Sequence, residues 1–299
     1  MHIIAACDDG FAQHLAVMLL SVFEHCKDGA VEASVIVPEE FSGRSRVAEA
    51  LGPDADKIAF LPISDDAVRG LPIYQHISLA TYYRLLIGEI VPREVKRAIY
   101  LDCDLIVRAD LMELWTTPLK GCVLGAVPDE GFRDRHKLGL SEAAPYFNAG
   151  VLLVDLEQWR SESVGAAALD FADNHPERLT WNDQCALNWI LRDRWLPLAE
   201  TWNMQSRQFG RQIDKDFEYF RPIPTSALAA RIVHFNWPAR PWLYMSEHPF
   251  RDEYLGYLRR TPWRNQPPPD RYPHNVIRQH LRRYAPPLLP LYMALRRHI

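Results

Sequence analysis

Sulfur is scarce and unpaired in this sequence. Cys7, Cys26, Cys103, Cys122 and Cys185 are odd in number and none falls in a CxxC spacing. Neither a disulfide framework nor a zinc site is supported, and a reducing cytoplasm is the expected compartment. Long apolar runs are missing as well. The stretch "LAVMLLSVF" at 15–23 falls short of the ~20 residues that cross a bilayer. The opening "MHIIAACDDG" has neither the basic segment nor the extended apolar segment that directs secretion. No internal repeat is present. Acid is absent from the C-terminal segment: residues 271–299 hold six Arg and no Asp or Glu, while residues 1–270 carry 28 basic against 38 acidic side chains. The acidic body argues against nucleic acid as a partner. The tail, with Tyr and Leu among its arginines, is a separate electrostatic object expected to make peripheral contact with an anionic membrane, on the inner face of the cytoplasmic membrane. A helix packed on the body with its arginines in water is the alternative.

Against these absences stand 299 residues at 48% hydrophobic content, enough for a substantial core. The order of elements reads as α/β. A strand at 2–7, a helix at 11–26 and a strand at 31–37 make a βαβ opening, with a third short strand near 58–61. A buried helix is expected over 78–91, stopped by Pro92. Apolar segments follow at 98–107, 122–128 and 147–156, helices at 161–174 and 182–194, and a late strand at 230–235. The charged connection at 129–145 is long enough to carry function or to serve as a solvated lid. "QPPPDRYP" at 266–273 breaks the chain, so a body of 1–265 and an extension of 266–299 are expected.

The segment "AIYLDCDLIV" at 98–107 places two carboxylates inside an apolar run. Alternate residues of a strand share a face, so Asp102 and Asp104 project together. Adjacent carboxylates repel, and a shared proton, a basic partner or a divalent cation relieves the repulsion. Hard cations such as Mg²⁺ or Mn²⁺ take oxygen ligands and leave positions for phosphate. Ligands of open α/β sheets collect at the carboxyl ends of strands, which is where this pair falls. The bland alternative has Asp104 capping a turn and Asp102 paired with an Arg.

With these residues in view, "AIYLDCDLIV" resembles the DxD segment of glycosyltransferase family 8. Further likenesses follow in the family's order: "AACDDGFAQHLAVMLLSV" from Ala5, "HISLATYYRLLIGE" at 76–89, "YFNAGVLLVDLEQWR" at 146–160, "WNDQCALN" at 181–188 and "HFNWPARPW" at 234–242. The resemblance covers about 1–245. It is similar in particular to bacterial transferases that add galactose or glucose to lipopolysaccharide or lipooligosaccharide core. It implies a GT-A fold, a UDP-hexose donor, a saccharide or glycolipid acceptor, Mn²⁺ with Mg²⁺ as the alternative, and retention of the anomeric configuration.

The same resemblance implies roles. Asp102, Asp104 and His234 would hold the cation. Asp8 would read the uracil, Phe11 would stack on it, Arg240 would face the diphosphate, and Cys103 would offer backbone to the nucleotide. Arg84, Asn148 and Ala149 belong to the donor-sugar region, Asp183 and Gln184 to the reacting carbon, and His76 to the acceptor; Arg84, in an otherwise apolar segment, needs a partner if buried, either the donor's sugar hydroxyls or a carboxylate such as Asp102 or Asp183. Departures fall at Gly10, often Asn in relatives; at Trp237, commonly Gly, where indole bulk must be accommodated; and at Arg240, commonly Lys. Cys185 stands where relatives can have another acid. Gln184 is a poor nucleophile, so a front-face route is expected, with an oxocarbenium-like sugar steadied by Gln184 and the leaving phosphate taking the acceptor's proton. Asp8 can also cap the helix near Phe11, and "NAG" can be a structural turn. Two other readings are a non-catalytic sugar-nucleotide-binding scaffold and a haloacid-dehalogenase phosphatase; the latter usually carries DxD on its first strand followed by Gly-Thr, whereas here "LIV" follows at residue 105. A self-glycosylating primer enzyme lacks an identifiable acceptor tyrosine.

Overall fold

The apolar residues of the first strand divide between two apolar layers in the computed structural model, which describes residues 1–26, 31–73, 78–209, 211–214, 217–220, 225–236 and 240–296. Strand β1 (His2–Ala6) sends Ile3 and Ala5 into one layer and Ile4 into the other, as the two-residue period requires. Strands β2 (Glu32–Pro38) and β3 (Ile58–Ile63) run parallel to it. The helix Ala12–His25 crosses over between β1 and β2, and its 15–22 stretch is wholly buried. That is where the apolar run of the first helix goes.

Strand β4 (Arg97–Leu101) pairs parallel with β1. The chain then leaves the sheet. Residues 102–104 are irregular, and β5 (Leu105–Val107) belongs to a second sheet. The apolar run at 98–107 is therefore two strands with the aspartates at the crossing, not one. Asp102 N–H donates to Gly150 O at 2.8 Å in the first sheet, and Phe235 N–H donates to Asp104 O at 2.8 Å in the second.

Strands β6 (Leu124–Pro128), β7 (Phe147–Asp155) and β8 (Trp195–Pro197) complete a seven-stranded mixed sheet of order β3-β2-β1-β4-β7-β6-β8. β7 lies antiparallel between β4 and β6 and is buried from Phe147 to Val154, which explains a sequence that is apolar throughout that span except for Asn148. The small sheet has order β5-β12-β9, with β9 at Met204–Gln205 and β12 at Ile232–His234; β10 (Arg211–Asp214) and β11 (Phe217–Phe220) form a hairpin.

The helix expected over 78–91 is a 3-10 turn run, Leu79–Leu86, followed by a short α-helix, Ile87–Ile90. Residues three apart eclipse in a 3-10 helix, so Thr81 and Arg84 lie one above the other. Gly165, in the helix Val164–Asn174, backs directly onto the Leu85 carbonyl, and any Cβ there would overlap it. The extension forms two helices, Pro273–Tyr284 and Leu289–Arg296, with Tyr272, Ile277, Tyr284, Leu288, Leu291 and Leu295 exposed. No helix of the described residues is long and apolar enough to cross a membrane.

Candidate active site

A cavity of about 360 Å³ opens at the carboxyl ends of β1 and β4. Asp8, Phe11, Arg84, Asp102, Cys103, Asp104, Asn148, Ala149, Asp183, Gln184, His234 and Arg240 line it. Residues from seven separate stretches of chain thus meet in one place. Asp8 Oδ1 accepts from Phe11 N–H at 3.1 Å and so caps the turn while facing the cavity. Phe11 presents its edge to His14 and Trp242. Gly10 is exposed and outside the lining. His76 and Trp237 lie outside the described residues.

Asp102, Asp104 and His234 each offer a ligand atom, all within 4.8 Å of one another. His234 Nε2 is 3.1 Å from Asp104 Oδ1 and 3.8 Å from Asp102 Oδ2. Burial works against a charged imidazole, but the charge of Asp104, its hydrogen bond and the charge of Asp102 outweigh it and hold His234 above its usual range. Burial likewise opposes ionisation of Asp104, and His234 overcomes it, so that carboxyl sits below its usual range. Two carboxylates and one imidazole nitrogen form a donor set that divalent manganese or magnesium can use. Cys103, between the aspartates, turns to the other face and donates its thiol proton to Ala6 O at 3.2 Å.

Arg84 is buried, and its charge is shared between two sides of the cavity. Nη2 lies 2.9 Å from Asp102 Oδ1 and Nε lies 2.7 Å from Asp183 Oδ2, while Nη1 donates to Ala149 O at 2.6 Å. The Asp183 contact is one of charge rather than an aligned hydrogen bond, since Oδ2 has no hydrogen-bond partner. Thr81 Oγ1 donates to the other oxygen, as the eclipsed 3-10 geometry allows. Burial raises the Asp183 carboxyl to about 6 against the pull of Arg84 and Thr81. Arg240 is half-buried and its Nε has no hydrogen-bond partner among the described residues, with Asp104 as its acidic neighbour.

Side-chain amides form the third part. Gln184 Oε1 accepts from Ala149 N–H at 2.9 Å and from Asn148 Nδ2 at 3.1 Å, and Gln184 Nε2 donates to Tyr146 OH at 3.3 Å. Asn148 Oδ1 accepts from Asn203 Nδ2 at 2.8 Å, and Asn203 Oδ1 is 2.9 Å from His234 Nδ1.

The family described as Glycosyl transferase family 8 matches residues 2–246, most of the chain. The chain belongs to glycosyltransferase family 8. General stress protein A of Bacillus subtilis (strain 168) is 32% identical over 280 residues, covering 88% of this chain and 94% of the relative. Lipopolysaccharide 1,2-glucosyltransferase of Escherichia coli (strain K12) is 25% identical over 237 residues, covering 75% of this chain and 70% of the relative. The crystal structure of galactosyltransferase LgtC in complex with donor and acceptor sugar analogues superposes with a TM-score of 0.76 at 25% identity, covering 88% of this chain and 99% of that one. The mixed sheet flanked by helices is accordingly the GT-A fold, and the molecule is a glycosyltransferase.

Several residues in or behind the cavity of this family 8 glycosyltransferase carry no signal in the sequence. Asn203 sits in "TWNMQ", where no period or motif marks it. Thr81 was hidden by the helical reading of its segment. Asp129, Phe132, Trp181 and Arg207 line the outer cavity from the 129–145 connection and from stretches near 181 and 207. The connection itself is packed: Phe132 stacks on Tyr146 at 3.8 Å between ring centroids, and Leu138 is fully buried.

Proposed function

We propose that this glycosyltransferase moves a hexose, galactose or glucose, from a UDP-sugar to a saccharide or glycolipid acceptor of the lipopolysaccharide-core kind, retaining the anomeric configuration. The observation that carries the reading is the convergence of Asp102, Asp104 and His234 with Asp183, Gln184 and Arg240 in one cavity. The glucosyltransferase and galactosyltransferase likenesses support the hexose donor.

Asp8 reads the uracil and Phe11 stacks on it. Arg240, a cation whose Nε has no hydrogen-bond partner among the described residues, meets the diphosphate. Asp102, Asp104 and His234 hold Mn²⁺, with Mg²⁺ as the alternative. Bound there, the ion neutralises charge that develops on the leaving diphosphate. Arg84 and Asn148 face the donor sugar. Asp183 has one oxygen committed to Thr81 and the other against Arg84, so it orients Arg84 rather than attacking carbon. Gln184, held by Ala149, Asn148 and Tyr146, steadies the oxocarbenium-like sugar from a fixed position, and the leaving phosphate takes the acceptor's proton. That is the front-face route. Residues 1–265 form the catalytic body, and 266–299, with exposed Tyr272, Ile277 and Leu291, attach it to an anionic membrane surface.

The test is UDP release from a panel of UDP-sugars with Mn²⁺, on wild type and Asp104→Ala. UDP-galactose or UDP-glucose should be consumed, and Asp104→Ala should lose most of the rate. Full activity in that variant refutes the cation assignment. No turnover with any donor favours a sugar-nucleotide-binding scaffold, and a covalent sugar trapped on Asp183 would sink the front-face route.

A further inference from the structure

Two backbone N–H groups of β7 settle how a buried line of side-chain amides is oriented. Gly150 N–H donates to Asn148 Oδ1 at 3.0 Å, and Ala149 N–H donates to Gln184 Oε1 at 2.9 Å. A backbone N–H only donates, so neither oxygen can be exchanged for its own NH₂ group. Asn148 Oδ1 also lies 2.8 Å from Asn203, which must therefore present Nδ2 there. That turns Asn203 Oδ1 toward His234 Nδ1, 2.9 Å away. An amide oxygen only accepts, so Nδ1 carries the proton. Nε2 is left as the nitrogen that faces Asp104 and Asp102. Asn203 itself is fully buried.

We infer that Asn203 is a positioning residue: it fixes His234 as an Nε2 ligand and, through Asn148, ties that ligand to Gln184. This rests on reading Asp102, Asp104 and His234 as the cation site. A histidine that binds a metal through one nitrogen commonly donates its other N–H to an oxygen, and losing that partner typically weakens metal affinity. What is particular here is the second hydrogen bond. Asn203 Nδ2 reports the same residue's position to the side chain that holds Gln184, so the cation end and the reacting-carbon end of the cavity share one rigid support.

The experiment separates the two functions of Asn203. Asn203→Leu removes both hydrogen bonds at similar volume. Asn203→Asp keeps an acceptor for His234 Nδ1–H but sets a second oxygen against Asn148 Oδ1. Mn²⁺ binding to the metal-free protein is measured by loss of the free-ion EPR signal, independently of turnover. Asn203→Leu should weaken Mn²⁺ binding by about 10–100-fold, and Asn203→Asp should hold it within about threefold of wild type. In Asn203→Asp, kcat should nevertheless fall, because the link to Gln184 is broken. In a His234→Ala background, Asn203→Leu should cause no further loss of Mn²⁺ binding. Wild-type Mn²⁺ affinity in Asn203→Leu, or an equal loss with and without His234, overturns the inference. A parallel loss of Mn²⁺ binding and kcat in Asn203→Asp does so as well. Absence of Mn²⁺ binding by the wild type overturns the cation site itself and is read before any variant.

Discussion

Gly150→Ala tests whether the cavity is as tightly built as its distances imply. A Cβ at position 150 would lie 2.8 Å from His234 Nδ1 and 2.9 Å from Asp102 Oδ2, and closer still to His234 Cε1, where ordinary contact begins at 3.4 Å. Neither side can retreat easily. β7 is hydrogen-bonded on both edges, to β4 and β6. His234 is held by Asn203 and Asp102 by Arg84. Half an ångström or more must therefore be found by moving two candidate cation ligands, at a cost of about 1–3 kcal/mol in stability. Functional constellations tolerate shifts of about 0.5 Å, and displacement on the order of 1 Å costs roughly 10²-fold in rate. The assay is steady-state UDP release across a Mn²⁺ titration, alongside thermal unfolding. Expected are a loss of about 10²-fold in kcat/KM, a raised Mn²⁺ requirement and a Tm lower by several degrees. Gly125→Ala is the control in neighbouring β6: the nearest atoms to its Cβ would be Leu198 Cδ2, Leu119 Cδ2 and Leu198 Cγ, at 3.2, 3.3 and 3.3 Å, all of apolar side chains outside the cavity lining, so activity should stay near wild type. Wild-type kcat/KM and Mn²⁺ half-saturation in Gly150→Ala would refute the reasoning.

Three further outcomes are expected. Arg84→Met leaves Asp102 and Asp183 without their shared cation, so urea denaturation should show a loss of about 3–5 kcal/mol, part of which Asp183→Asn restores; strict additivity of the two changes would contradict the shared pairing. Burial holds His14 and His248 at about 3 against their usual 6.5, so both fold neutral and the unfolded chain binds the extra protons below pH 6.5. Their stabilisation is complete above pH 6.5 and lost as pH falls toward 3, about 2 kcal/mol each at pH 5. Asp183, raised to about 6 from 3.8, acts in the opposite sense and returns about 1 kcal/mol, so net stability should fall between pH 7.5 and pH 5; an unchanged urea midpoint over that interval would count against the buried neutral histidines. Replacing the exposed Arg271 and Arg283 with Gln should weaken flotation with anionic vesicles by roughly 2 kcal/mol at low salt, and binding that ignores both salt and the substitutions would exclude an electrostatic attachment.

The sequence carried the order of the elements because alternation and apolar runs are local properties. It carried the DxD pair because carboxylates inside an apolar run demand an explanation. It did not carry the pairing of strands. Nothing in "AIYLDCDLIV" marks that Leu105 leaves the sheet of Leu101, since both sheets bury the same kind of residue. The 3-10 winding of Leu79–Leu86 was equally silent, because apolar spacing serves either helix, and the packing of Gly165 on Leu85 and the reach of Thr81 to Asp183 are tertiary; the carboxylate partners of Arg84 were legible, because a cation buried in an apolar segment must find one. Asn203, buried behind the cavity residues His234 and Asn148, shows the same limit. Its importance lies in an acceptor offered to His234, 31 residues away, and a donor offered to Asn148, 55 residues away.

The crossing of the chain at Asp102–Asp104 also sets an order of assembly. Once β5 leaves the large sheet, its pairing partner is β12, the middle strand of the small sheet. That partner is made about 125 residues later, which at ~5–20 residues per second is on the order of ten seconds of synthesis. Until then Leu105–Val107 lacks the strand it pairs with and has the earlier first helix as its support, Val107 N–H donating to Ser21 Oγ at 2.9 Å. His234 ends β12. The residue that completes the candidate cation site therefore arrives on the same strand that pairs with β5, so the small sheet and the candidate site are completed together.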